Sequence, residues 1–575
     1  MNLKSHLFGC VALIILACLS ITPINAQQDS ALLDALVKKG VLTNKERQEI
    51  QTDEQTSSAQ TAASKIQLSS SIKTITFYGD LRLRYELRNG TTPSGTYYPS
   101  SATSTTPNSR LTHDDSETMN RWRYRLRFGV KGDLYDNIFY GFRLATNPYY
   151  DRSGNVTFGS SDSAGPFGKG RSILAIDQAY LGWRPTNDIT LTGGQMANPL
   201  YTTNLVWDDN LNPAGAAEQW DHNFDNGVEA FATAGQFVYQ SASGNGITNT
   251  LNGTYNPSNV FMFAEQAGFK YKFNKDTYFK AAATFYSYSG TTASTAGGIT
   301  SVQGLYSSSP INLSAPNNSP AYFNGPFVGA ASAQTTNVSG VNNLAVLEVP
   351  MEFDFRIGSD GISTGATKDR VGPGASSGGW SVPVRIFSDF AYNLDANSRS
   401  ASARDAINGA VASNFVGSKS TGNVGVTLNN SAPTGAGMSA TDVANNKAML
   451  GSSTFAGVQN SGQDLLDQVA YQVGVEVGQL KKKGDWDGKL YWQSTGYYAV
   501  DPNLIDADIF NAATNMQGVV VAGSYNWTDG LTSTVRYAWA EQVNDKLATP
   551  NVNQDLQLGT IQHYNLFQAD LIWKF

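Results

Sequence analysis

The stretch Tyr564–Phe575, YNLFQADLIWKF, alternates apolar and polar side chains over most of its length. Because successive side chains of an extended strand point to opposite faces, this alternation predicts a strand with one apolar and one polar face. An edge strand of a soluble sandwich would show the same pattern, so the choice of fold class depends on the rest of the chain. The apolar face consists of Phe567, Ala569, Leu571, Trp573 and Phe575, and the polar face of Gln568, Asp570 and Lys574. Leu566 and Ile572 are apolar exceptions on the polar face.

The segment Arg121–Lys131 repeats the alternation with basic residues on its polar face. A soluble half-buried strand seldom carries successive arginines on one face opposite aromatic residues. In a transmembrane barrel, the apolar face meets lipid and the arginines lie in a water-filled lumen. The two faces consist of Trp122, Tyr124, Leu126, Phe128 and Val130 and of Arg121, Arg123, Arg125, Arg127 and Lys131.

From residue 72 onward, short turns and long polar loops alternate between such segments. This asymmetry is typical of outer-membrane barrels. We count about 16 strands, of which 189–196, 215–222 and 344–357 have the weakest patterns. The sequence therefore predicts an all-β fold, a transmembrane antiparallel β-barrel with a short N-terminal helical module. A barrel of this size leaves an aqueous channel, and Trp573 and Phe575 are candidates for a signal to the barrel assembly machinery.

Two segments are predicted before the barrel. Residues 1–26 have the basic start, apolar core and cleavage site of a secretory signal peptide, and both cysteines, Cys10 and Cys18, lie within it. A lipoprotein signal at Cys18 is the alternative. Residues 27–71 combine helical spacing, a capping box at Thr43–Glu46 and a polar linker, which predict a periplasmic helical segment. Residues 72–575 then form the barrel.

Composition argues against other classes of protein. Beyond the N-terminal segment there is no run of about 18 apolar residues, so no membrane-spanning helix is expected. The formal net charge is −7, whereas nucleic-acid-binding domains are basic. A mature chain without cysteine would form no disulfide and no thiolate metal site.

Arginines on three adjacent predicted strands form the first candidate site. Guanidinium groups stay charged and bind carboxylates or phosphates, so an inward patch of them would favour anions in a pore. The alternative is structural, with the arginines paired to Asp80, Glu86 and loop carboxylates. The candidate lumen residues are Arg82, Arg84, Arg121, Arg123, Arg125, Arg127 and Arg143.

The third long loop, which contains Trp207, Asp208 and Asp209, is the second candidate. If it folds into the barrel, its carboxylates would face the arginines and constrict the lumen. The alternative is an exposed loop in which these residues form a turn.

Metal binding and catalysis have little support. Asp501, Asp506 and Asp508 could offer oxygen ligands to calcium, but their spacing is not that of an EF-hand, and solvated loop carboxylates are expected instead. Of the histidines, His6 leaves with the signal peptide and His113, His222 and His563 are far apart in the chain. We therefore expect no catalytic residue, no metal and no cofactor.

Several stretches resemble the putative-porin family of bacterial outer-membrane proteins. They are Leu33–Ile50, Arg123–Gly129, Leu205–Gly215, Gly474–Trp486 and the terminal LIWKF. The resemblance implies a sixteen-stranded diffusion channel, a homotrimer, and no particular substrate. The loops at 289–343 and 395–465 depart from the simplest members of the family, which puts the openness of the pore in doubt.

The expected function is passive diffusion of small hydrophilic solutes or ions across the outer membrane, with the surrounding lipid as the barrel's other partner. One alternative is an adhesin or structural barrel whose long loops bind outside partners. Another is a barrel enzyme that depends on His113.

Overall fold

The computed structural model describes residues 71–91, 116–147, 153–159, 173–224, 226–240, 260–289, 344–358, 381–400, 464–545 and 561–575, with short pieces of the loops between them. The chain divides after Ile72, and the unit Lys73–Phe575 contains every barrel strand. The predicted signal peptide, the N-terminal helices and most of loops 289–343 and 395–465 lie outside the described residues.

The fold is a closed 16-strand antiparallel barrel, as predicted. The connections between successive strands alternate between short turns at one end of the barrel and longer loops at the other, except that the connection 359–380 between β10 and β11 is long for the short-turn end. They are β1 Thr76–Thr91, β2 Ser116–Asp133, β3 Ile138–Asn147, β4 Ile173–Trp183, β5 Ile189–Gln195, β6 Ala214–Asn223, β7 Val228–Gln240, β8 Val260–Lys272, β9 Tyr278–Ser289, β10 Ala345–Glu348 with Met351–Gly358, β11 Ser381–Asn393, β12 Val469–Gly478, β13 Trp486–Thr495, β14 Met516–Asn526, β15 Leu531–Gln542 and β16 His563–Lys574.

The last strand closes the barrel against the first. β16 pairs with β1 from Asp80 opposite Lys574 to Thr91 opposite His563. The pairing continues to the terminus, where Gly79 and Phe575 exchange backbone hydrogen bonds of 3.0 and 3.1 Å. A Cβ atom at Gly79 would lie 2.6 Å from the Phe575 ring, so this position needs glycine. Trp573 and Phe575 both point outward, with ring centroids 5.1 Å apart.

Turn chemistry explains the tight connections. Between β2 and β3, Asp136 and Asn137 have φ values of 59° and 61°. Asn and Asp tolerate this left-handed conformation better than other residues with side chains, because their short polar groups bond locally to the backbone. The short turn allows β2 and β3 to pair directly, from Arg127 opposite Ala145 to Asp133 opposite Phe139.

β10 is interrupted, which explains its weak pattern in the sequence. Its two pieces pair with the same neighbours, β9 and β11, on either side of Val349 and Pro350. Proline has no backbone N–H to donate to the ladder. The Pro350 carbonyl still accepts a bond from the Ala282 N–H (3.1 Å), so the wall stays continuous there.

Helical structure is minor in the described part of the chain. Residues 396–400 are helical, and the short helix α1 Leu465–Gln468 has Asp464 as its N-cap, whose side chain accepts a bond from the Leu466 N–H. A 3-10 turn covers Phe510–Ala512. Among the described residues, no helix is long and apolar enough to cross a membrane.

Candidate functional site in the barrel lumen

The candidate arginines lie on one inward-facing patch of β1, β2 and β3. In the β1–β2 register, Arg82 lies opposite Arg125 and Arg84 opposite Arg123. On β3, Arg143 pairs with Gly129 of β2, which lies two residues beyond Arg127 on the same face of that strand. Period-two alternation therefore brings together arginines from three strands. Sequence analysis left out Arg88, which extends the patch on β1 and is fully buried.

Carboxylates neutralise most of this patch. Arg84 donates from Nε to Asp570 (2.7 Å), and its Nη1 lies 2.6 Å from an Asp508 oxygen. Arg125 and Arg127 share Asp80, at 2.9 and 2.6 Å. The other pairs are Arg121 with Glu86 and Asp555, Arg88 with the same two carboxylates, and Arg143 with Asp177.

Burial divides the candidate arginines into two groups. Arg84 and Arg123 are 1% exposed, and Arg82 is fixed by Asn155 Oδ1, which accepts from its Nε and Nη2 at 3.1 and 2.5 Å. Arg127 is the most open, with 22% of its side chain accessible. A solute in the lumen would therefore meet Arg127 and its neighbours before the buried members of the patch.

The third long loop, residues 196–213 (loop L3), folds into the lumen. Leu205, Val206 and Trp207 are at most 4% exposed. The Trp207 ring packs against Phe237 and Tyr286 of the barrel wall, at 6.3 and 6.5 Å between ring centroids. Burial of this apolar segment favours the inward position of the loop.

Polar contacts hold both sides of L3. On the arginine side, Arg125 donates to Asn210 (2.8 Å), and Gln178 donates to Asn212 (2.7 Å). On the opposite wall, the Thr202 hydroxyl donates to Glu348 and the Thr203 hydroxyl to Asp389, both at 2.5 Å. L3 therefore spans the lumen from β2–β4 to β10–β11.

The two neighbouring aspartates of L3 have different surroundings. Asp208 is 1% exposed and accepts bonds from Asn210 and from the Ala507 N–H (2.8 Å). Asp209 is exposed to the lumen. Although this side chain reaches the lumen, partial desolvation by the surrounding barrel raises the pKa of the Asp209 carboxyl, and the positive charges of Lys489, Arg127 and Arg536 limit that rise. Asp209 therefore lies within the electrostatic reach of these three cations.

A second loop, residues 496–515 (loop L7), also fills the lumen, and sequence analysis missed it. The expectation that Asp501, Asp506 and Asp508 are solvated is wrong, because they are only 3%, 8% and 6% exposed. Asp501 accepts from the hydroxyls of Tyr239 (2.7 Å) and Tyr288 (2.9 Å). The available signal was apolar content unusual for a solvated loop, at 497–500, 504–505 and 509–510.

L7 joins L3 to the arginine patch. The Asp208 N–H donates to the Leu504 carbonyl (2.6 Å), and the Asp506 N–H donates to the Asn204 carbonyl (3.3 Å). Burial and the carboxylates of Asp208 and Asp508 raise the pKa of Asp506 to about 7. Burial also acts on Asp508, but Arg84 and Arg82 hold the pKa of that carboxyl well below its usual range.

Two cavities remain beside the loops. One of about 220 Å³ is lined by Arg125, Arg127, Arg143, Asp177 and Asn210. The other, of about 580 Å³, lies below the far side of L3 and carries both signs of charge. Its lining includes Tyr201, Glu229, Lys270, Lys280 and Glu352. Both are polar spaces inside the barrel, suited to hydrated solutes.

No catalytic or metal constellation appears among the described residues. His222 Nδ1 lies 2.9 Å from Asp188 at the short-turn end, and its ring stacks on Trp220. His563 begins β16, and His113 lies outside the described residues. No group of three His, Cys, Asp or Glu side chains in the described part of the chain could hold a metal ion.

One family model and several solved structures are similar to this chain. The family model described as "Putative porin" matches residues 37–319. No curated protein matches the chain. Solved structures similar to it include OprB of Pseudomonas putida, with 8% identity, a TM-score of 0.37 and coverage of 87% of this chain and 94% of that one.

Two further structures are similarly distant. The anion-selective porin of Comamonas acidovorans has 8% identity, a TM-score of 0.35 and coverage of 87% of this chain and 99% of that one. The outer-membrane channel DcaP of Acinetobacter baumannii has 13% identity, a TM-score of 0.33 and coverage of 89% and 99%. At such distances the fold assignment rests on the strand pairing itself.

Proposed function

Since this chain belongs to the family described as "Putative porin", we propose that it is an outer-membrane channel for passive diffusion of small hydrophilic solutes or ions. The observation that carries the proposal is the polar lumen inside a closed barrel with an apolar outer wall. Closure satisfies the backbone hydrogen bonds that hydrocarbon would leave unpaired. The protein performs no chemistry on the solute.

L3 and L7 set the size limit of the channel. Both loops occupy lumen space that a barrel of about sixteen strands would otherwise leave to water. Solutes then pass through the polar space beside them, where Arg127 and Asp209 are open to the lumen. Large solutes are excluded by the loops.

Selectivity rests on fewer arginines than the sequence pattern indicates. Carboxylates neutralise Arg84, Arg88 and Arg121 within the wall, so these side chains have a structural role in lining the lumen. Arg127, which shares Asp80 with Arg125, remains as a charge that a solute meets, together with Lys489 on β13 and Arg536 on β15. Because Asp209 opposes these positive charges, they produce a transverse electric field, and the channel has a modest preference for anions.

The remaining parts are assigned from the sequence. Residues 1–26 are a signal peptide, and residues 27–71 form a periplasmic segment ahead of the barrel. The terminal aromatic residues, Trp573 and Phe575, serve as the assembly signal. The working unit is a homotrimer.

Swelling of proteoliposomes in sugars of increasing size tests the proposal. Small sugars should enter and cause swelling, whereas larger oligosaccharides should not. Liposomes with heat-unfolded protein are the control. Absence of swelling with every sugar, from protein shown to be folded, would contradict the channel and favour a structural barrel or adhesin.

A further inference from the structure

The outer wall of the barrel is apolar except on one side. Away from the two rims, the outward-facing charged side chains of the described strands are Glu218 on β6 and Glu265 on β8, both exposed. Elsewhere at comparable depth the outward positions are apolar, small or uncharged. On the opposite side they include Val473, Leu490, Val521, Val535, Tyr537 and Phe567.

The two glutamates share one row of the sheet. Each lies directly opposite Ala234 on β7, the strand between them. Two strand spacings separate them, or about 10 Å. Gln236 lies on the same face, one outward position further along β7. Neither carboxylate has a hydrogen bond or ion pair with any residue that the structure describes.

Small residues surround the glutamates. Gly193 and Ala216 are partners across β5 and β6, and Ala232 and Ala267 are partners across β7 and β8. A groove of about 560 Å³ opens beside Glu218, lined by Leu181, Trp183, Leu191 and neighbouring residues. Small residues let a second backbone approach closely in a membrane.

Lipid is a poor occupant for this face. A carboxylate facing hydrocarbon loses its hydration without a partner, and acidic residues within membranes are rare and almost always paired or turned inward. A protein that offers hydrogen-bond donors is a better match. The same face of a second copy provides such donors in the side-chain amides of Gln195 and Gln236.

The size of the face also suits association between subunits. β5–β9 span about 24 Å across the strands and about 25 Å along the apolar band, or roughly 600 Å². Stable interfaces bury about 800 Å² per partner, so the face supplies most of the area needed.

We propose that the outer face of β5–β9, centred on Glu218, Ala234 and Glu265, is the contact surface between copies of this chain in the membrane. The inference rests on the barrel lying in a membrane and is independent of conduction. Each carboxylate accepts hydrogen bonds from a neighbouring copy, and the small residues allow the two walls to approach.

Native mass spectrometry of the full-length protein in mild detergent tests this surface. The wild-type protein should be oligomeric, and Ala234→Trp should shift it to monomers, because the indole separates the walls. Val535→Trp on the opposite side is the matched control and should stay oligomeric. A monomeric wild-type protein that still conducts, or an Ala234→Trp variant that remains oligomeric, would overturn the inference and leave the channel proposal intact.

A second measurement tests the same surface if the Ala234→Trp variant fails to fold. Ala234→Cys and Val535→Cys, each labelled with a small fluorophore, would be compared in brominated lipid. The label at residue 234 should be quenched severalfold less than the label at 535, because a neighbouring copy covers it. Equal quenching at both positions would show that lipid reaches the face, which contradicts the proposal.

Discussion

Individual arginines show what alternation can and cannot predict. The pattern of β1 and β2 was enough to orient Arg82, Arg84, Arg123 and Arg125 toward the lumen, because a wall between lipid and water imposes a period of two. Their burial was not predictable. Arg84 binds Asp570, which is 486 residues away in sequence, and Asp508 of L7. Such pairings depend on barrel closure and loop entry, which leave no local signature.

Asp506 gives the junction of L3 and L7 a pH dependence. Its pKa is raised from 3.8 to about 7, so the neutral carboxyl is the form that the folded junction favours. The stabilisation that the neutral Asp506 carboxyl gives to the folded junction is complete below pH 4, declines as pH rises toward 7 and is lost above pH 7. Its total is roughly 4 kcal/mol at most. Hydrogen exchange of L7 amides should therefore accelerate between pH 5 and pH 8, after correction for intrinsic rates.

Asp506→Asn is the matched variant for that experiment. It keeps the shape of the side chain and removes its titration, so the corrected exchange of L7 should become independent of pH over the same range. An unchanged pH dependence in this variant would assign the effect to another group.

Arg127 and Arg536 should carry more of the ion selectivity than the buried arginines. Replacing both with glutamine should lower the anion-to-cation permeability ratio roughly twofold, because these charges act on the open lumen near Asp209. Reversal potentials under a salt gradient measure the ratio. Arg184→Gln, at an exposed turn where Arg184 pairs with Asp133, is the control and should leave the ratio unchanged. No change in the double variant would leave these side chains with a structural role only.

At the scale of elements, every strand segment expected from the sequence is present, including the weak ones at 189–196, 215–222 and 344–357. Lipid on one side and water on the other enforce the alternation that made the strands visible. Loops lack this constraint. The sequence predicts a polar loop over residues 500–514, whereas in the structure tyrosine hydroxyls and Arg84 bind its aspartates. Only its apolar content could have indicated burial.

Shortening L7 tests its role as a lumen element. Replacing residues 500–513 with a short Gly-Ser linker should raise single-channel conductance severalfold, because the loop no longer occupies the lumen. The same linker in the turn at 527–530 controls for disturbance of the loop ends and should leave the conductance as it is. A shortened L7 with wild-type conductance would mean that the open path lies elsewhere.

At the scale of the whole molecule, closure depends on the terminal strand. Phe575 continues the β1–β16 ladder through Gly79 and presents an outward aromatic ring. Deleting Phe575 should reduce the amount of folded barrel in outer membranes roughly tenfold, because the last pairing and the terminal aromatic group are both lost. Heat-modifiable mobility on gels measures folded barrel. Phe575→Trp, which keeps an aromatic terminus, should assemble normally; normal assembly of the deletion would contradict the assigned role.

The central claim is that the lumen beside L3 and L7 conducts. Single-channel recording of the purified protein in a planar bilayer, under a salt gradient, tests it most directly. We predict stable, discrete conductance steps and a reversal potential with the sign of a modest anion preference. Silence from protein that is folded and inserted would contradict the account, because it would mean that the two inward loops close the barrel.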